Sequence, residues 1–391
     1  MLGTRGVPAQ YGGFETAVEE VGSRLVERGH EVTVYCRWGT DDTYRGMSLV
    51  HLPSVKQRSL ETLSHTAVSV GHLLRSDWDA VAVFNAANAV FLPALRARRV
   101  PVALHVDGLE WRRSKWSGAG QRYYRLAESL GVRWADALIA DSEAIADYYA
   151  VEFGARTTLI SYGAPIITDA DVQRLSDLGL DPGGYHLVVA RFEPENHVAM
   201  IAAGYVSSAA TLPLVIVGSA PYSDAYSAHV RDLVGGDERV HLLGGVWNQK
   251  LLDALYWGAA TYLHGHSVGG TNPSLLRAMG ARTATIAYDC VFNRETLGGH
   301  GWFFSTAEDV SSALVKAEAT PATMDELAGT AEQRARSHYR WDDVADGYER
   351  LLLGLAAGES RRGECSGRRT GRYVLTDGDA MPSRTGYSRV P

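Results

Sequence analysis

Short apolar runs alternate with stretches of helical periodicity along the first half of the chain, and after a Gly- and Asp-containing break near residues 177–184 the same alternation begins again. In the first half Phe14, Val18, Val21 and Leu25 recur at helical spacing, and Gly29 follows as a stop signal. Residues 31–36, Glu-Val-Thr-Val-Tyr-Cys, then read as a buried strand. Further strands are expected over 80–84, 102–106 and 137–140, with helices over 60–74, 121–134 and 143–151. Strands separated by helical segments build a parallel sheet covered on both faces. The second half repeats the scheme with strands over 186–190, 214–217, 239–242, 260–264 and 283–287, and helices from about 198, over 225–233, 251–257 and 274–279. The pattern predicts an α/β protein of two Rossmann-like, doubly wound domains, and 391 residues is more than one hydrophobic core usually serves.

Composition removes several function classes. A net charge of −7 gives no field that would attract nucleic acid, so any phosphate binding has to be local. Cys36, Cys290 and Cys365 lie far apart, outside any CxxC or Cys/His cluster, which argues against a disulfide framework or a zinc site and fits a reducing cytoplasm. No run of about 18 apolar residues and no signal-type start occurs, which leaves only peripheral contact with a membrane open. From Glu359 the chain turns rich in Gly, Arg and Ser and loses apolar periodicity, so residues 358–391 are expected to form a disordered, removable tail.

Four loops carry the chemistry. The opening, Gly3-Thr4-Arg5-Gly6-Val7-Pro8-Ala9-Gln10-Tyr11-Gly12-Gly13-Phe14, runs into an amphipathic helix whose free amides can face a phosphate or sugar oxygen; a plain tight turn would read the same way. After the strand at 102–106 come Asp107, Gly108, Leu109, Glu110, Trp111, Arg112, Arg113, Ser114, Lys115 and Trp116, with Asp107 and Glu110 placed to accept bonds from sugar hydroxyls. Its tryptophans among cations suit a membrane interface or a buried aromatic cluster equally. In the second half Arg191 stands just past a strand end, where a guanidinium can clamp a diphosphate, with Asn196 as a further donor. Finally Gly269, Gly270, Thr271, Asn272, Pro273 and Ser274 join a strand to a helix and can form an anion-binding nest. His264 and His266 have no third ligand in register, and Asp169/Asp171 and Asp377/Asp379 fall outside any strand end, so no metal site is expected.

Taken together these motifs resemble the family 4 retaining glycosyltransferases of the GT-B fold, and within them a bacterial branch similar to rhamnosyltransferases of polysaccharide assembly. The resemblance runs from Gly3 to about Leu355 and also rests on Asp136-Ala137-Leu138-Ile139-Ala140-Asp141-Ser142 and Tyr162-Gly163-Ala164. It implies two Rossmann-like domains facing a central cleft: an acceptor domain over 1–165, a nucleotide-sugar domain over 166–338, and a helix over 339–357 packing back toward the first domain. It places the donor on Gly12, Gly13, Arg191, Asn196, Val246, Gly269, Gly270, Thr271, Asn272, Ser274 and Arg277. The acceptor falls to Tyr11, His105, Asp107 and Glu110, and catalysis to Asp107, Glu110 and Arg191. No cofactor or metal is implied. The donor is a nucleotide diphosphate sugar, with dTDP-L-rhamnose suggested by the branch, and the acceptor a saccharide or lipid-linked saccharide, reached from the cytoplasm or the inner membrane face.

The sequence departs from the family at three places. It begins where the first strand usually ends; the paired glutamates of the donor loop are Gly269 and Arg277; and His105 replaces an Asn common in the branch. An Arg cannot accept bonds from ribose hydroxyls. Two other readings therefore stay open: a degenerate, non-catalytic sugar- or partner-binding module, and another GT-B enzyme such as a nucleotide-sugar epimerase.

Overall fold

In the computed structural model, which describes residues 1–9, 12–57, 60–106, 108–218 and 224–373, the alternation resolves into two α/β domains. The first contains α1 (Gly13–Glu27), β1 (Thr33–Cys36), β2 (Thr43–Tyr44), β3 (Met47–His51), α2 (Glu61–Leu73), β4 (Val81–Phe84), α3 (Leu92–Ala97), β5 (Val102–His105), α4 (Gly118–Trp134), β6 (Ala137–Ala140), α5 (Glu143–Phe153) and β7 (Thr158–Leu159). Strands β4, β5, β6 and β7 are parallel neighbours in that order, and β1 pairs in parallel with β3. Between β1 and β4 lie Met1 and Leu2: the Tyr35 amide donates to the Met1 carbonyl at 3.1 Å, and Leu2 forms a parallel bridge to Val83. Leu2 is buried, so its side chain joins the two sheet segments as well as its backbone.

The second domain contains α6 (Gln173–Ser176), β8 (His186–Val189), α7 (Val198–Val206), β9 (Leu214–Val217), α8 (Asp224–Val234), β10 (Val240–Gly244), α9 (Gln249–Trp257), β11 (Thr261–His264), α10 (Pro273–Gly280), β12 (Thr285–Tyr288), α11 (Val291–Leu297), β13 (Trp302–Phe304), α12 (Ala307–Ala319) and α13 (Pro321–His338). Its six strands run in parallel in the order β10-β9-β8-β11-β12-β13, the doubly wound arrangement whose order reverses between β8 and β11. Ligands of such sheets bind beyond the strand carboxyl ends at that reversal. The loops after β8 and β11 hold Arg191 and Gly269. A final helix, α14 (Trp341–Ala356), lies against α1, where Arg24 and Arg28 pair with Asp342, Asp346 and Glu349. Among the described residues no helix is long and apolar enough to cross a membrane.

Strands β2, β7 and β13, of two, two and three residues, are too short to carry periodicity, and β3 mixes buried and exposed positions instead of forming a continuous apolar run, so these escape the sequence reading.

Residues 359–373 correct the expectation of a disordered tail. This segment lies along the first domain and is held by charge. Arg369 Nη1 and Nε reach Glu128 at 2.6 Å and Glu152 at 3.0 Å, and its guanidinium also contacts the Tyr148 hydroxyl. Both carboxylates are nearly fully buried, 4% and 3% exposed at the side chain, so they require a cation. Nearer its start, Ser360 Oγ donates to Asp136 at 2.6 Å and Arg362 pairs with the same carboxylate at 2.9 Å. Hydrophobic periodicity cannot reveal a segment anchored by polar groups. Residues 374–391, with Asp377 and Asp379, lie outside the described residues.

Candidate active site

Two helix N-termini meet across the interdomain cleft. Gly12 caps α1 with φ of 106°, a left-handed conformation that favours glycine, and a Cβ on Gly13 would lie 3.0 Å from Pro273, the first residue of α10. The partial positive ends of both helices therefore point into one space. Along the same seam a Cβ on Gly108 would fall 2.2 Å from Gly269 Cα, and one on Gly270 would fall 1.7 Å from Asp141 Oδ1. Thr271 Oγ1 closes the contact by donating to the Asp141 carbonyl at 2.7 Å. Only glycine backbones allow the domains to approach this closely.

The loop after β11 is built to present amides. Gly269 has φ of 133°, and among the described residues no hydrogen bond engages the N–H groups of Gly269, Gly270 or Thr271. Asn272 and Ser274, expected on the donor, instead shape the turn: Asn272 Oδ1 accepts from Ser274 N at 2.9 Å and from Ser274 Oγ at 2.7 Å, capping α10. Asn196 is corrected in the same way. Only 1% exposed, its side chain donates to the Arg191 carbonyl at 2.8 Å and so fixes the loop that carries Arg191. The Arg191 guanidinium itself is 37% exposed, with Glu193 at 3.5 Å.

On the first domain the expected acceptor contacts change. Glu110 is buried and held by Arg113 at 2.5 Å and Lys115 at 2.6 Å. Burial alone would push its carboxyl up, but the two cations hold it down to about 2, so it is a fixed anion rather than a base. Arg113 continues across the cleft to Glu193 at 3.6 Å and Glu195 at 3.5 Å, and Ser114 Oγ donates to Glu195 at 2.8 Å. His105, also expected at the acceptor, is 1% exposed, packed among Phe14, Phe84 and Tyr162, and shares a 2.7 Å hydrogen bond with Tyr348 of α14. Burial pushes its imidazole down to about 3, so it stays neutral. Tyr11 and Asp107 lie outside the described residues.

Arg277 forms an ion pair with Asp253 of α9. Val246 is half-buried after β10, with Trp247 beside it 66% exposed at the rim. The rings of His264 and His266 stack 4.6 Å apart, and burial lowers the pKa of both. Arg113, Glu193 and Glu195 lie within the sequence motifs but were given no role there, and Asp253 and Tyr348 were missed. All five are partners whose relevance depends on tertiary proximity; of the two missed, Tyr348 alone carried a signal, its helical spacing with Val344 and Ala345.

Two parallel doubly wound domains facing each other across such a seam define the GT-B fold. Residues 12–163 match the family model described as a glycosyl transferase 4-like domain. No curated protein sequence matches the chain. Among solved structures, sucrose-phosphate synthase from Thermosynechococcus elongatus superposes with a TM-score of 0.76 at 16% identity, over 88% of this chain and 94% of that one. The HepE protein of Anabaena in complex with UDP-glucose gives 0.71 at 16%, over 89% and 98%. A glycosyltransferase from Rickettsia africae gives 0.63 at 10%, over 90% and 98%.

Proposed function

We propose that this chain is a glycosyltransferase that moves a sugar from a nucleotide diphosphate donor to a hydroxyl of a saccharide acceptor, with retention at the anomeric carbon. The observation that carries this reading is the convergence of the α1 and α10 N-termini, the uncommitted amides of Gly269, Gly270 and Thr271, and the Arg191 loop on one interdomain space. Such a cradle suits a diphosphate that gains charge as it leaves. The bond from the anomeric carbon to the diphosphate oxygen breaks, the acceptor oxygen bonds to the same carbon on the same face, and the acceptor proton passes to the departing phosphate. The amides and Arg191 stabilise that leaving group; Gly12 and Gly13 give it room. The match of residues 12–163 to a glycosyl transferase 4-like domain supports the reaction class, and the UDP-glucose complex of the HepE protein supports a nucleotide-sugar donor. The sequence motifs favour L-rhamnose on dTDP as donor and a polysaccharide or lipid-linked intermediate as acceptor, met at the cytoplasmic face of a membrane.

The Arg277–Asp253 pair favours a second reading, a sugar-binding module without turnover, because Arg277 offers no acceptor to a ribose. Calorimetry with UDP, GDP and dTDP, followed by NMR of products from the matching nucleotide sugars, separates the two. Arg191→Ala should lower kcat/KM by roughly 10²- to 10³-fold, about 3–4 kcal/mol of leaving-group stabilisation, with little change in melting temperature. A variant that turns over normally would remove Arg191 from the diphosphate; binding without any product would favour the module.

A further inference from the structure

The docked segment 359–373 builds something beyond its own anchorage. Between it and the first domain lies an open cavity of ≈ 500 Å³ lined by Arg96, Arg133, Trp134, Arg362, Cys365 and Ser366, with its neighbour Gly363, and by no carboxylate. Arg96 ends α3 and Arg133 ends α4, and their guanidiniums lie 4.7 and 5.2 Å from the Trp134 ring centre. A cation at a helix C-terminus is favoured by the helix dipole, which accounts for each of these arginines singly. It does not account for their meeting at one cavity with a third guanidinium brought by a distant segment. Arg362 is neutralised by Asp136 at 2.9 Å, whereas Arg96 and Arg133 form no ion pair among the described residues. Two uncompensated guanidiniums beside a third, with a serine hydroxyl at the rim, lack only a counter-anion. The volume falls in the range of small-molecule sites and exceeds what a lone phosphate fills.

The place in the fold separates this cavity from the cleft. Helices α3 and α4 end just before β5 and β6 begin, so Arg96 and Arg133 sit at the amino ends of those strands, whereas the donor loops follow strand carboxyl ends. The geometry points to a second anion site on the far side of the first domain, completed by the C-terminal segment, that takes a phosphate-bearing anion of diphosphate size or larger. Guanidinium forks recognise phosphate oxygens bidentately, and the indole on which Arg96 and Arg133 rest holds those two forks in place. Arg369, locked on Glu128 and Glu152, holds the segment in place so that Arg362 and Ser366 face the cavity rim. This site does not depend on the reaction proposed for the cleft.

Calorimetric titration of the full chain with inorganic pyrophosphate tests it, because each site can be removed separately. Arg191→Ala should abolish the cleft component and leave a second. In that background Arg96→Ala with Arg133→Ala should weaken the remaining pyrophosphate affinity tenfold or more. Both arginines are exposed, so the unliganded melting temperature should stay unchanged. Co-sedimentation with phosphatidylglycerol vesicles, lost in the Arg96→Ala, Arg133→Ala variant, would identify a lipid headgroup as the source of the phosphate; pyrophosphate binding without sedimentation would identify a soluble phosphoanion. Pyrophosphate affinity indifferent to Arg96 and Arg133, or a chain whose only binding disappears with Arg191, would overturn the second site.

Discussion

The sequence resemblance implies a ribose-binding carboxylate at position 277, but the residue is Arg277, and Asp253 of α9 closes an ion pair on it with both side chains only partly exposed, 21% and 27%. Replacing Arg277 by Glu therefore does more than restore an acceptor: it sets two carboxylates against each other. Arg277→Glu should destabilise the fold by roughly 1–3 kcal/mol, and Asp253→Asn in the same chain should recover most of that loss in a urea melt. If the single variant is as stable as the parent, the pair contributes nothing. The position of Arg277 was readable from the sequence, because the Gly-Gly-Thr-Asn-Pro-Ser turn sets its register on the following helix. Asp253 was not, since a separation of 24 residues gives no local pattern that brings α9 beside α10. Glu110 shows the same limit: its place in the loop was legible, but its neutralisation by Arg113 and Lys115 depends on how that loop folds over itself.

Two elements act at long range, one capping a helix across the domains and the other clamped onto the first domain. Glu295 of α11 accepts from the Glu143 and Ala144 amides at 2.6 and 3.2 Å, so a carboxylate of the second domain caps the first turn of α5 in the first. Burial outweighs those bonds and pushes its carboxyl up to about 7. A folded pKa above the unfolded one means that its stability contribution is complete below about pH 4.5 and is lost as pH rises through 7. Wild type relative to Glu295→Gln should therefore lose on the order of 3 kcal/mol across that window, and parallel pH profiles of melting temperature in the two proteins would contradict the assignment. The clamp is residues 359–373. Truncation after Gly358 removes the cation and the cover from Glu128 and Glu152 together, so the loss is that of the charge-assisted bonds, about 2–3 kcal/mol, with a fall of several degrees in melting temperature; an unchanged melt would mean that the segment does not dock in solution. Most strands were legible because buried parallel strands are continuous apolar runs, whereas the helices over 307–338 went unread and this clamp has no periodicity to read and depends on carboxylates more than 200 residues away.

At the scale of the whole molecule the closed cleft depends on backbones without side chains. Gly108→Ala should wedge the seam open at Gly269 while leaving each domain folded, which small-angle X-ray scattering would register as a larger radius of gyration, with kcat reduced more than donor affinity; unaltered scattering and turnover would show that the contact yields easily. The duplication of the α/β pattern announced two domains, but the seam between them is a product of shape and could not be read from either half. The ion cluster at that seam has a consequence for how a donor enters. Glu193 lies 3.5 Å from Arg191 and 3.6 Å from Arg113, one from each domain, so the cleft carries an internal counterion. On the function proposed above, a diphosphate seated at Arg191 would exchange with a tethered carboxylate rather than add charge to bare cations. Glu193 would stay beside Arg113, so the same event would redistribute the charge that links the two domains.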